Sequence, residues 1–238
     1  MNNFLLRICV LSALFFYVFL TNAQEKPKVD IEAGLDVVSR YVWRGSQLSD
    51  SPNLQPYATL SYGGLSLTGF GSYATSKSFS EIDWTLAYTL HGITLSLVDF
   101  YNEEEDLALN DFFNWKRANT AHLVETSLAW ELPIQKFPLR VTASTLVYGA
   151  DLNQNGNQNL STYFELLYPF TVKNYELSAF VGGTGNKGYY ADQAAVVNTG
   201  ISLMRPIEVT DRFAFDLNMC FAVNPRAEDA FFIVGVTF

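Results

Sequence analysis

From Val29 to the C-terminus, large apolar residues alternate with small or polar ones, and this period of two decides what the chain can fold into. In one run Ile82, Trp84, Leu86, Tyr88 and Leu90 fall on one face, while Glu81, Asp83, Thr85, Ala87 and Thr89 fall on the other. Phe213, Phe215, Leu217, Met219 and Phe221 repeat the pattern against Arg212, Ala214, Asp216, Asn218 and Cys220. Strands of this kind are predicted to start near Val29, Asn53, Leu65, Glu81, Ile93, Thr120, Pro138, Leu160, Asn174, Ala194, Arg212 and Ala230. That makes about 12 segments, each long enough to cross a bilayer as a tilted strand. Tight connections such as Gly63-Gly64 and His91-Gly92 alternate with longer ones rich in Asn, Gly, Asp and Ser. Short turns on one side and long loops on the other are what a bacterial outer-membrane barrel requires.

The expected fold class is therefore all-β, a transmembrane antiparallel up-and-down β-barrel. A soluble β-sandwich or lipocalin-like barrel also alternates, but packs its apolar face inward. Aromatic residues near strand ends favour the membrane reading, because amphipathic rings gather at lipid–water interfaces. Tyr41, Trp43, Tyr73, Trp84, Trp130 and Tyr168 are the interface aromatics expected on this basis. Phe238 ends an amphipathic last strand with Phe232, Val234 and Val236 on its face, and resembles the signal by which barrel-assembly machinery recognises its clients.

The first 23 residues read as a secretory leader: Arg7, an apolar run from Ile8 to Leu20, then Thr21-Asn22-Ala23. The run is 13 residues, short of the roughly 20 that span a bilayer as a helix. Cleavage after Ala23 leaves residues 24–238 as one barrel. The leader holds one base and no acid, so 14 bases remain against 24 acids, which argues against nucleic acid as a partner. Only Cys220 survives cleavage, so no internal disulfide can form.

Residues 34–45, Gly34-Leu35-Asp36-Val37-Val38-Ser39-Arg40-Tyr41-Val42-Trp43-Arg44-Gly45, precede Ser46-Gln47 and Asn53-Leu54-Gln55-Pro56. This stretch resembles the opening of the TorF-like porin family, whose first strand ends in an aromatic-x-aromatic-Arg-Gly element. The match is clearest over about residues 30–75. It implies an outer-membrane barrel in a Gram-negative bacterium, and implies location and fold more strongly than any solute.

Period-two alternation puts Glu32, Asp36, Glu81, Asp83, Glu125, Glu131, Glu165, Glu176 and Asp216 on the inward face, against Arg40, Arg44, Arg140 and Arg212. An acidic wall concentrates cations. About 12 strands enclose an interior between the filled 8-strand and open 16-strand cases, so any pore is small. Chemistry is sparse: His91 lies in a turn, and His122 has Val124 where a barrel phospholipase would need a serine. The acidic run from Glu103 to Asp106 could gather divalent ions toward lipopolysaccharide or simply be solvated. The apolar stretch from Leu107 to Trp115 is expected either to fold inward as a constriction or to lie on the outer leaflet. The leading functional expectation is a passive channel for ions or small hydrophilic solutes, mildly cation-preferring, with no cofactor. A non-conducting structural or surface-interaction barrel and a lipid-modifying enzyme are the alternatives. Expected partners are outer-membrane lipid, lipopolysaccharide and the assembly machinery.

Overall fold

The computed structural model describes residues 28–76, 79–103, 111–134 and 137–238. The leader and most of the acidic run lie outside them. Twelve of the strands close into one antiparallel barrel: β1 (Val29–Val38), β4 (Asn53–Tyr62), β5 (Leu65–Ala74), β6 (Ser80–Leu90), β7 (Ile93–Glu103), β8 (His122–Glu131), β9 (Arg140–Gly149), β10 (Thr162–Val172), β11 (Tyr175–Thr184), β12 (Ala195–Thr210), β13 (Phe213–Asn224) and β14 (Asp229–Thr237). Two further strands, β2 (Tyr41–Trp43) and β3 (Ser46–Ser49), pair only with each other.

Each wall strand begins within about two residues of its predicted start, because the period-two pattern fixes both face and register. In β4 the outward Leu54, Leu60 and Tyr62 are exposed, whereas Asn53 and Gln55 on the other face are buried. Across the β4–β5 pair, Thr59 and Thr68 share a hydroxyl hydrogen bond of 2.8 Å inside, while Leu60 faces Leu67 outside. Apolar groups thus stay outside, where lipid would receive them, and hydroxyls line the interior. The Gly63-Gly64 and His91-Gly92 turns have positive φ at both positions, the two-residue geometry that matches strand twist.

Closure joins β1 to β14 through only a few pairs, Asp36 opposite Thr237, Val37 opposite Val236 and Val38 opposite Gly235. The ladder is extended by Phe238, whose N–H donates to the Leu35 carbonyl at 3.0 Å and whose carbonyl accepts from Leu35 N–H at 3.1 Å. Its ring lies outside with Phe213 and Phe215. Closure leaves no open sheet edge in the wall. Removing Phe238 should therefore reduce the heat-modifiable, membrane-inserted fraction on gels far more than trimming the Asn153–Asn157 loop tip, and equal yields of the two variants would argue against a closing role.

Candidate pore constriction

The chain leaves β1 at Val38 and, instead of continuing up the wall, turns into the barrel as the β2–β3 hairpin. Its two-residue turn is Arg44-Gly45, with φ of 49° and 77°, between paired Trp43 and Ser46. This is the turn chemistry of Gly63-Gly64 and His91-Gly92 used inside the barrel. Gly45 is required twice over: its φ is positive, and a Cβ there would meet the Val197 carbonyl oxygen of β12 at 1.9 Å. Its own carbonyl accepts from Asn224 Nδ2 on β13 at 3.0 Å.

Arg44 at the tip reaches the opposite wall. Its Nη1 and Nη2 donate to Glu125 on β8 at 2.5 and 2.8 Å, a bidentate pair. Nη1 also donates to Tyr190 Oη, and Nη2 reaches Ser144 of β9 at 3.4 Å. The guanidinium lies between the rings of Trp43 and Tyr163, 4.5 and 4.4 Å from their centroids. Tyr41 donates to Glu81 of β6 at 2.8 Å, and Trp43 packs edge-on against Phe100 of β7. Side chains or backbone of the hairpin thus touch seven wall strands: β6, β7, β8, β9, β10, β12 and β13.

The connection from β11 to β12 completes the obstruction. Tyr189 and Tyr190 lean on Trp43, and Tyr189 N–H donates to Ser161 Oγ at 2.8 Å. Burial raises both phenols above the usual tyrosine range, and the Tyr190 hydroxyl donates to Glu125 at 3.2 Å. On the surface, Arg226 holds Asp192 through a 2.7 Å contact and keeps that carboxyl below its ordinary range.

The expected site residues divide as follows. Glu32 and Asp36 of β1, Glu81 and Asp83 of β6, Glu125 and Glu131 of β8, Glu165 of β10, Glu176 of β11 and Asp216 of β13 lie on the inner face by register, with Arg140 of β9 opposite Glu131. Asp30, facing Ser61 in the same register as Glu32, joins them. Arg44 is inside, but on the hairpin, and pairs with Glu125 rather than Asp36. Arg40 lies at the hairpin base, where Nη1 donates to Gln47 Oε1 at 3.1 Å. Arg212 is not on the inner face: it sits in the exposed turn before β13. Tyr41 and Trp43, expected at the lipid interface, are inside the barrel, because the strand they were assigned to ends at Val38. Tyr73, Trp84 and Trp130 are exposed on the outer face. Tyr168 stacks there with Phe137 and Phe170.

The described part of the long β7–β8 connection lies on the outer wall, not in the lumen. His122, fully buried, stacks at 3.8 Å beneath Trp115. Its Nδ1 meets Asp99 at 2.9 Å and its Nε2 meets the Phe112 carbonyl at 2.7 Å. Asp99 and the Phe112 carbonyl thus engage both ring nitrogens and fix the imidazole against the outer wall. Tyr148 donates to the Trp115 carbonyl and secures the same segment.

The chain is a closed twelve-strand antiparallel barrel with an apolar exterior and a polar, hairpin-crossed interior, an architecture on which transmembrane barrels are built. Among solved structures, the chain is similar to a KdgM porin, with a TM-score of 0.51 and 9% identity over 86% of this chain and 98% of that one. An outer-membrane channel from Pseudomonas putida F1 aligns with a TM-score of 0.43 and 11% identity, over 91% and 98% of the two chains. At such identities the likeness concerns fold alone. No family model and no curated protein matches the sequence, so the resemblance to TorF-like porins rests on the residues quoted for it.

Proposed function

We propose that this protein is an outer-membrane porin-like channel that passes ions or small hydrophilic solutes past the β2–β3 hairpin, with a mild preference for cations. The observation that carries this reading is the inner wall itself. Nine inward carboxylates in the expected set face Arg140 and the hairpin's Arg44, and Arg44 is already committed to Glu125. Such a low-dielectric acidic wall repels anions and gathers cations. A cavity of about 310 Å³ lies against β11, β12 and β13, bordered by Glu176, Ser178, Ser202, Met204, Asn218 and Cys220.

Purified protein in a planar bilayer under a salt gradient should give reversal potentials of the cation-selective sign. The preference should weaken as salt rises, because the Debye length contracts from about 10 Å at 0.1 M to about 3 Å at 1 M. Anion selectivity would end this proposal. The second reading, a non-conducting barrel, is favoured by one observation, the hairpin clamped to seven strands. A silent bilayer from folded protein would establish that reading instead.

A further inference from the structure

The outward face of β12 carries Ile201, Leu203, Arg205 and Ile207, so a charged side chain stands in an otherwise apolar row. Its direction follows from the register: Arg205 is opposite the outward Leu217 of β13, whereas Pro206 is opposite the inward Asp216. On the other side Glu176 pairs with Met204, which brings Tyr175 of β11 level with Arg205. Arg205 Nη1 donates to the Tyr175 hydroxyl at 2.8 Å, and its Cζ lies 5.0 Å from the ring centroid.

A charge on the lipid face destabilises a barrel more the deeper it lies, and persists where an opposite charge can reach it. The protein supplies none. None of the three ion pairs among the described residues includes Arg205. Glu208 falls on the inward face opposite Ala214, and Asp211 lies in the turn beyond. The rest of the guanidinium fork has no protein partner among the described residues, and the Tyr175 hydroxyl, accepting from Arg205, keeps its own proton to donate.

The pair sits toward the short-turn end of the wall, for β11 starts at Tyr175 and β12 ends at Thr210. In transmembrane barrels the short turns face the periplasm, and aromatic rings mark that interface. Phe213 and Phe215 provide such rings on the neighbouring strand, with Phe215 opposite Ile207. Exposed Lys173, in the turn before Tyr175, adds a positive charge at the same end. Leu177 and Leu203, paired with each other, continue the face toward the middle of the wall.

We propose that Arg205 and Tyr175 bind the phosphate of an anionic phospholipid in the periplasmic leaflet, its acyl chains lying along Leu177 and Leu203. The inference rests on the outer-membrane placement proposed for the barrel, and not on conduction. The guanidinium brings charge and a planar fork of donors that matches phosphate oxygens, and the tyrosine adds another donor. A free phosphate gains these contacts without the apolar ones, so the lipid is the better ligand.

The test is native mass spectrometry of the protein refolded in detergent and titrated with phosphatidylglycerol or phosphatidylcholine. The expected result is one retained phosphatidylglycerol, held more tightly than phosphatidylcholine and not displaced by excess inorganic phosphate. Arg205→Gln should weaken retention about tenfold or more, because hydrogen bonds to charged groups are the strong ones. Tyr175→Phe, which keeps the ring, should weaken it less but measurably, and serves if Arg205→Gln does not fold. The Lys116→Gln, Arg117→Gln variant, altered at the long-loop end, should retain the lipid as the parent does. Equal retention by the parent and Arg205→Gln would overturn the proposal. Displacement by inorganic phosphate would do the same, by marking a free-anion site. Retention is read whether or not the barrel conducts: a conducting parent that holds no phosphatidylglycerol overturns this inference alone, and a silent parent that holds it overturns the channel alone.

Discussion

Excising Tyr41–Ser49 and joining Arg40 to Asp50 through a short glycine linker should raise single-channel conductance severalfold, while the protein still migrates as a folded barrel on unheated gels. The wall should survive because β2 and β3 pair only with each other, so their removal breaks no rung of the barrel ladder. The groups left behind are Glu81, Glu125 and Asn224, all facing the interior, where water entering the opened mouth can solvate them. The variant also loses Arg44 and leaves Glu125 without a cation, so its cation preference should exceed that of the parent. Conductance equal to the parent would mean that the hairpin is not the narrowest point. A variant as silent as its parent would favour the structural barrel.

Arg44→Gln alone should be more damaging to stability than loss of the whole hairpin. It keeps the obstruction in place and water out, yet strands Glu125, 2% exposed, without its guanidinium partner. Breaking a buried pair on one side costs about 3–5 kcal/mol, and the partial exposure of Arg44 pushes the expected loss to the lower end, about 3 kcal/mol. The stacking between Trp43 and Tyr163 would be lost as well. Adding Glu125→Gln should recover a good part of the loss, since two amides can hydrogen-bond without an uncompensated charge. Urea midpoints of the parent, the single and the double variants measure this directly. A single variant as stable as the parent would show that the pair contributes little.

The wall was legible because each strand carries a one-residue rule repeated over its length. A slip by one residue at Ile82 or Phe215 would turn a whole apolar face inward, so face and register follow from pattern alone. The constriction was not legible for the same reason. Arg40-Tyr41-Val42-Trp43-Arg44 keeps the alternation of a wall strand, and β2 is indeed a strand, but one that pairs with β3 inside the barrel. The available signal was Arg44-Gly45 itself, an x-Gly pair like His91-Gly92, which marks a two-residue hairpin. Arg212 was misplaced because a turn of two residues and the first position of a strand differ by a single step. The partners of Arg44 could not be read at all: Glu125, Ser144, Tyr163 and Tyr190 come from three strands and a loop, and only closure brings them together.

The sequence separation of these contacts bears on the order in which the molecule is made. Consecutive wall strands are close in sequence even where a longer loop joins them, so their pairing closes smaller loops, whereas Arg44 meets Glu125 across 81 residues and Gly45 meets Asn224 across 179. Contacts of such sequence separation carry a larger loop-closure cost and follow the local ones. The tip of the hairpin, although synthesised near the beginning, has nothing to hold until β8 through β13 stand opposite it. Its docking is therefore a late event in maturation, and a chain whose curl stalled before the β1–β14 seam would keep Arg44 undocked, distinguishable by proteolysis after that arginine from one that had finished.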